Sequence, residues 1–217
     1  MIEVSTAAIA ALMGVIFTLS TFERWIAKRK PHELAWTISL SLFVIAAFAL
    51  AIGAQGGWTH FTFKVFYLFG AILNVPFLGV GTVYLLFGKR IGDIALAGVL
   101  AFSFLSIGLM ISQPFIATLP VHQLAQGSRV FGPLPRILAG VGSGVGATVV
   151  FVGAAVSFFK SKVLRFRISN LLIALGTAVT GASGLLNSIA NAMVAFSITL
   201  ALGISVLFIG FLAAVTA

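Results

Sequence analysis

The chain contains no cysteine. Disulfides, thiolate metal sites and thiol nucleophiles are therefore excluded. Acidic residues are almost as scarce: Glu3, Glu23, Glu33 and Asp93 are the whole set. The three histidines, His32, His60 and His122, lie apart from one another, in connections or at the edges of apolar runs. They supply neither a metal cluster nor the axial ligands that a haem needs within helices, so no metal or cofactor is expected. No Asp, Glu, Lys, Arg or His is expected at the core of any apolar run. That argues against a proton pump or a proton-coupled antiporter, which are built on intramembrane ionisable groups. From Ile168 to Ala217 there is no charge at all, hence no lysine for a retinal Schiff base in the last run. Serine and threonine are plentiful but no base accompanies them, and nucleophilic catalysis has no support. The expectation is a protein that is not an enzyme.

What is present is apolar. The residues are 60% hydrophobic and 8% charged, with a mean hydropathy of +1.19. An ordinary soluble domain is excluded. The net charge of +9 is spread over short connections rather than gathered on one soluble face. Nucleic acid is therefore not an expected partner, and the bilayer is. Seven apolar runs predict an all-α, polytopic membrane protein: a single transmembrane domain over 1–217. The helices are expected near 4–25, 34–54, 63–87, 92–113, 136–159, 168–187 and 192–215, with an outer connection at 114–135. Within that connection, Pro120 to Ala125 could form a short helix lying in the interface. The flank of the first run carries Glu3 and no basic residue, unlike a signal peptide, so a retained helix with an outside start is expected. The last two runs are separated at Asn187-Ser188-Ile189-Ala190-Asn191, a polar turn signal.

Charge sets the orientation. With the N-terminus outside, the inner connections hold Arg24, Lys28, Arg29, Lys30, Lys89, Arg90, Lys160, Lys162, Arg165 and Arg167. The outer side holds only Lys64, Arg129 and Arg136. This is the asymmetry of the positive-inside rule, and it predicts a cytoplasmic C-terminus in a cell membrane, that of a bacterial cytoplasm. Runs one to three and five to seven share an orientation, so a three-plus-one-plus-three repeat is a further reading.

The third run is the most informative. Val65 to Phe87 carries no charge, and at ~1.5 Å per residue it reaches ~35 Å, enough to cross a hydrocarbon core of ~30 Å. Near its middle stand Asn74 and Pro76. Pro76 cannot donate to the Ile72 carbonyl, so the helix should be disturbed there, beside a polar amide. Asn74 should face inward and find a partner, with Thr177 and Thr180 of the sixth helix the expected hydroxyls. Asn74, Pro76, Thr177 and Thr180 form the candidate midplane site.

Glycines supply the second motif. Gly140/Gly144 and Gly142/Gly146 are small-xxx-small pairs that let helix backbones approach closely. The run 140–146 could be mistaken for a dinucleotide loop, but that motif needs a preceding strand and lies here inside a spanning run. Gly181 and Gly184 give the sixth helix a similar small face.

The order of seven spans, the outside start, the basic inner connections and the lack of a soluble domain resemble those of uncharacterised bacterial seven-helix membrane proteins. They also look like the seven-helix sensor region that precedes some histidine kinases. That second likeness implies an output domain; this chain stops at Ala217, so a sensor would need a separate output partner. The leading expectation is a non-catalytic accessory or scaffold subunit of a membrane complex, binding lipid, partner helices or a second copy. The alternative is a facilitative transporter or channel for a small solute, centred on Asn74 and Pro76. A water-filled cavity reaching Asn74 would favour transport; a dry core would favour the subunit.

Overall fold

The computed structural model describes residues 2–119, 125–190 and 193–215. The fold is all-α. In chain order the helices are α1 (Ile2–Lys28), α2 (Pro31–Gly56), α3 (His60–Val65), a π-helical segment (Phe66–Leu73), α4 (Asn74–Ser112), α5 (Gly127–Val130), α6 (Pro133–Lys160), α7 (Leu164–Ala190) and α8 (Met193–Val215). Among the described residues, five helical runs are long and apolar enough to cross a membrane: Ser5–Lys28, Pro31–Gly56, His60–Ser112, Pro133–Lys160 and Ala195–Ala214. The short helix expected from Pro120, together with His122 and Asn191, lies outside the described residues.

The helices overrun the apolar stretches that announce them. α2 starts at Pro31, with the proline in its first turn where a missing N–H is harmless, and α6 starts at Pro133 for the same reason. α7 begins at Leu164 within the basic connection and continues past Asn187 to Ala190. An apolar run measures hydrocarbon thickness, whereas a helix continues into the interface, where Lys and Arg stems lie along it with their charges in water.

The run from His60 to Ser112 is not one straight rod. Gly88 has φ +78°, a backbone conformation that suits glycine, and it breaks the helical path. The chain reverses there. Tyr84 Oη donates to Asp93 Oδ1 at 2.8 Å, Val80 and Tyr84 pack with Ala95, Leu96 and Val99, and Lys64 Nζ donates to the Ile111 carbonyl at 3.0 Å. In an unbroken helix Lys64 and Ile111 would stand ~70 Å apart. The first arm (60–87) and the second arm (89–112) are thus antiparallel, with Lys89 and Arg90 at the tip. The second arm buries a thin stripe containing Gly92, Ser103, Ser106 and Met110 and leaves Ile94, Phe104 and Ile111 largely exposed.

The long helices close a ring. α1 packs on α2, α2 on the π segment and α4, α4 on α6, α6 on α7, α7 on α8, and α8 back on α1. Antiparallel neighbours bring the basic segments to one end. Arg24 of α1 pairs with Glu33 of α2 and lies over the Phe211 ring of α8, Arg165 of α7 donates to the Ala214 carbonyl of α8, and Gly153 of α6 faces Thr82 and Leu86 beside the hairpin tip. At the opposite end the chain seals itself with aromatic rings. Phe63 and Phe131 are fully buried and stack at 5.3 Å, Tyr67 meets Phe131 edge-on at 5.1 Å, and Phe115 lies 5.1 Å from Phe131. Trp58 joins this layer, edge-on to Phe63, and sits on Gly53. The connection after Ser112 therefore folds back on the bundle, tied by Ile116 N–H to the Val130 carbonyl.

Candidate functional site

Pro76 would drive its ring into the carbonyl four residues back if the preceding turn were a regular α-helix. The chain answers with the π-helical segment: Asn74 N–H reaches back to the Phe69 carbonyl rather than to Gly70. Widening the turn relieves the clash and leaves nearby carbonyls in need of donors. Neighbouring helices provide them. Ser143 of α6 donates its hydroxyl to the Ala71 carbonyl at 2.6 Å, and Ser39 of α2 donates to the Asn74 carbonyl, also at 2.6 Å. The Ile72 carbonyl turns toward Gly142, where an added methyl would stand 2.5 Å from its oxygen. Gly146 lies on the Val75–Pro76 peptide in the same way. The break in the third run is thus braced from two sides.

The Asn74 side chain is placed differently from expectation. Its Oδ1 is buried and finds no donor. Thr177 and Thr180, expected to reach it, donate instead to carbonyls of their own helix, Ile173 at 2.7 Å and Gly176 at 2.6 Å. Thr180 lies against Gly203 of α8. The expected pairing is corrected: α7 packs between α6 and α8, so its hydroxyl face meets α8. The groups that do share the Asn74 level are serines. Ser39 and Ser143 touch its segment directly, and the hairpin register sets Ser103 and Ser106 of the second arm opposite the π segment. Ser106 Oγ, like Asn74 Oδ1, is buried without a partner.

The glycines also divide by face. Gly142 and Gly146 meet backbone of the π segment and α4. Among the described residues nothing lies within 4 Å of a Cβ added at Gly140, Gly144 or Gly181, so the packing role expected of Gly140 and Gly144 within the bundle is corrected, and Gly181 meets no described neighbour. Gly184 lies in α7, and its surroundings fall outside the described residues.

One buried ion pair escaped the sequence reading. Glu33 counts by position as part of a basic connection, yet its side chain is 1% exposed. Arg24 Nε and Nη2 both donate to its Oε1, at 2.9 and 2.8 Å. Glu33 Oε2 is buried and unpartnered. The signal was Pro31: a proline opening a helix puts the third residue inside its first turn, where the helix dipole favours a carboxylate. Beneath it Thr37 Oγ1 donates to the Glu33 carbonyl at 2.8 Å and lies 3.1 Å from Thr21 Oγ1.

Clefts open on the bundle among the described residues. A groove of about 660 Å³ runs between the first arm of the hairpin, α6 and α7 at the basic end, lined among others by Val83, Leu86, Val152, Val156, Lys160 and Asn170. A second, of about 670 Å³, lies at the aromatic end among His60, Lys64, Gln113 and Phe115. His60 stacks on Phe115 there at 4.4 Å. Neither cleft includes Asn74. Among the described residues no cluster of three His, Asp or Glu could hold a metal ion.

The fold and composition define a class: an all-α chain with several long apolar helices of the kind found in multi-pass membrane proteins. Within that class the chain matches no family model, and no curated protein matches it.

Proposed function

We propose that this chain crosses a cell membrane seven times, with its N-terminus outside and its C-terminus in the cytoplasm, and works as a non-catalytic accessory or scaffold subunit of a membrane complex. The observation that carries the subunit reading is the closure of the ring: aromatic side chains plug one end, and helix-to-helix contacts occupy the surroundings of Asn74. Ser39 and Ser143 are spent on backbone carbonyls there rather than turned toward a passage. The seven-span topology is supported by the reversal at Gly88, which divides the longest run into two arms of membrane length, and by the basic residues collected at one end. Lipid or partner helices would meet the outer faces, where Phe104 and Ile111 of the second arm lie exposed.

The transport alternative keeps one observation in its favour, the two unpartnered polar atoms of Asn74 and Ser106. A cysteine at position 74 separates the readings, because the chain has no other cysteine. Membrane-impermeant thiol reagents are expected to leave it unlabelled from both sides in folded protein. Clear labelling from either side would replace the subunit reading by transport.

Topology has its own test. A reporter active only in the cytoplasm, fused after Ala217, is expected to work, and one active only outside is expected to work in a fusion truncated after Thr118. The opposite pattern would invert the orientation.

A further inference from the structure

The groove at the basic end has the chemistry of an amphiphile site. Its floor is apolar along the first arm and α6, where Val83, Leu86, Val149, Val152 and Val156 line it. Gly153 shapes that floor, since an added methyl would press on Thr82 and Leu86. Its mouth is polar and positively charged. Lys160 closes α6, Ser157 and Ser161 flank it, and Asn170 faces it from α7. Asn170 uses one amide N–H on the Phe166 carbonyl at 2.7 Å, which leaves its second N–H and its carbonyl oxygen for a ligand. Among the described residues the ion pairs of Lys and Arg are Arg24–Glu33 and Lys89–Asp93, so Lys160 has no carboxylate partner. Lys162 in the connection and Arg165 and Arg167 in the first turn of α7 add to the local positive field.

We propose that this groove holds one anionic phospholipid, with its phosphate at Lys160, its headgroup hydroxyls at Ser161 and Asn170, and an acyl chain along Val156, Val152 and Val83. Charge complementarity selects this occupant. A partner helix would bring an apolar face that leaves the ammonium unmatched, and a zwitterionic lipid would set a second cation against it. Basic recesses between spanning helices on the cytoplasmic side are suited to anionic headgroups. The proposal rests on the membrane reading above but not on the subunit reading, since a transporter could carry the same lipid.

The full chain, stripped of lipid in mild detergent, is titrated with phosphatidylglycerol and with phosphatidylcholine of identical acyl chains, and bound lipid is counted by native mass spectrometry. One lysine near an anionic surface is worth about fivefold in affinity. Phosphatidylglycerol is therefore expected to bind one molecule per chain, at least about fivefold tighter than phosphatidylcholine. Lys160→Ala should abolish that preference, and Val152→Trp, which fills the floor, should reduce binding of both lipids. Both substitutions lie on exposed positions, and unchanged melting temperatures would show that the fold survives. Equal binding of the two lipids, or an undiminished preference in Lys160→Ala, would overturn the proposal. Binding of glycerol phosphate as tight as that of the lipid would assign the mouth to a soluble phosphate instead and would equally overturn it.

Discussion

Replacing Gly146 by leucine is expected to pull α6 away from α4 and to lower stability by at least about 3 kcal/mol. An added Cβ at this position would lie 2.5 Å from the Val75 carbonyl oxygen and 2.8 Å from the Pro76 nitrogen. Both atoms are backbone, so no rotamer change can make room, and the helices must separate. Separation also withdraws Ser143 from the Ala71 carbonyl, leaving a half-buried acceptor without that donor. For a chain of this size the apparent melting temperature in detergent should fall by roughly 6–12 °C. Gly144→Leu is the internal control. Position 144 stands about 200° around the helix from 142, and nothing lies within 4 Å of an added Cβ there. Its melting temperature should not fall. Equal losses for Gly144→Leu and Gly146→Leu would mean that α6 packs on the hairpin through a different face.

The pair of glycine registers shows where sequence reading stops. Composition and run length make an all-α chain of membrane-length helices legible, because burial in hydrocarbon demands about twenty apolar residues in a row. The same uniformity hides which side of each helix faces inward. In a soluble helix polar residues mark the outside, but here Phe104, Ile111 and Phe159 lie exposed and are as apolar as Phe63 and Ile72 within. Gly140/Gly144 and Gly142/Gly146 were therefore equivalent on paper. Thr177 and Thr180 failed as partners of Asn74 for the same reason: depth can be read from distance to the basic ends, azimuth cannot. Pro76 was legible because its missing N–H acts locally. That its disturbance would take the form of a π-helical turn, with Ser39 and Ser143 as donors, depends on two helices distant in sequence. Glu33 was hidden by its setting among Arg24, Lys28, Arg29 and Lys30, which reads as a solvated connection until α2 is started at Pro31.

Arg24→Ala is expected to destabilise the bundle by about 3–5 kcal/mol, the usual consequence of stranding a buried charge. The two partners are buried unequally: the Arg24 side chain is 25% exposed and that of Glu33 is 1% exposed. Deleting the arginine leaves a carboxylate with one oxygen already unpartnered and the other deprived of two donors. It also removes the guanidinium from the Phe211 ring, 5.5 Å away, and so loosens the joint between α1, α2 and α8 where the ring of helices closes. Glu33→Gln should be milder, because Arg24 can turn its exposed edge to water while the amide occupies the same volume. The double substitution Arg24→Met with Glu33→Leu should recover most of the loss, since well-packed apolar residues commonly replace a buried pair without penalty. A double-mutant cycle in detergent built from Arg24→Met, Glu33→Leu and their combination, read by chemical or thermal unfolding, measures this coupling. The expected order of stability is double substitution above Glu33→Gln above Arg24→Ala. If Arg24→Ala lost less than about 1 kcal/mol, Glu33 would have to be reaching water by another route, and the closed joint between α1, α2 and α8 would be the wrong description of that end.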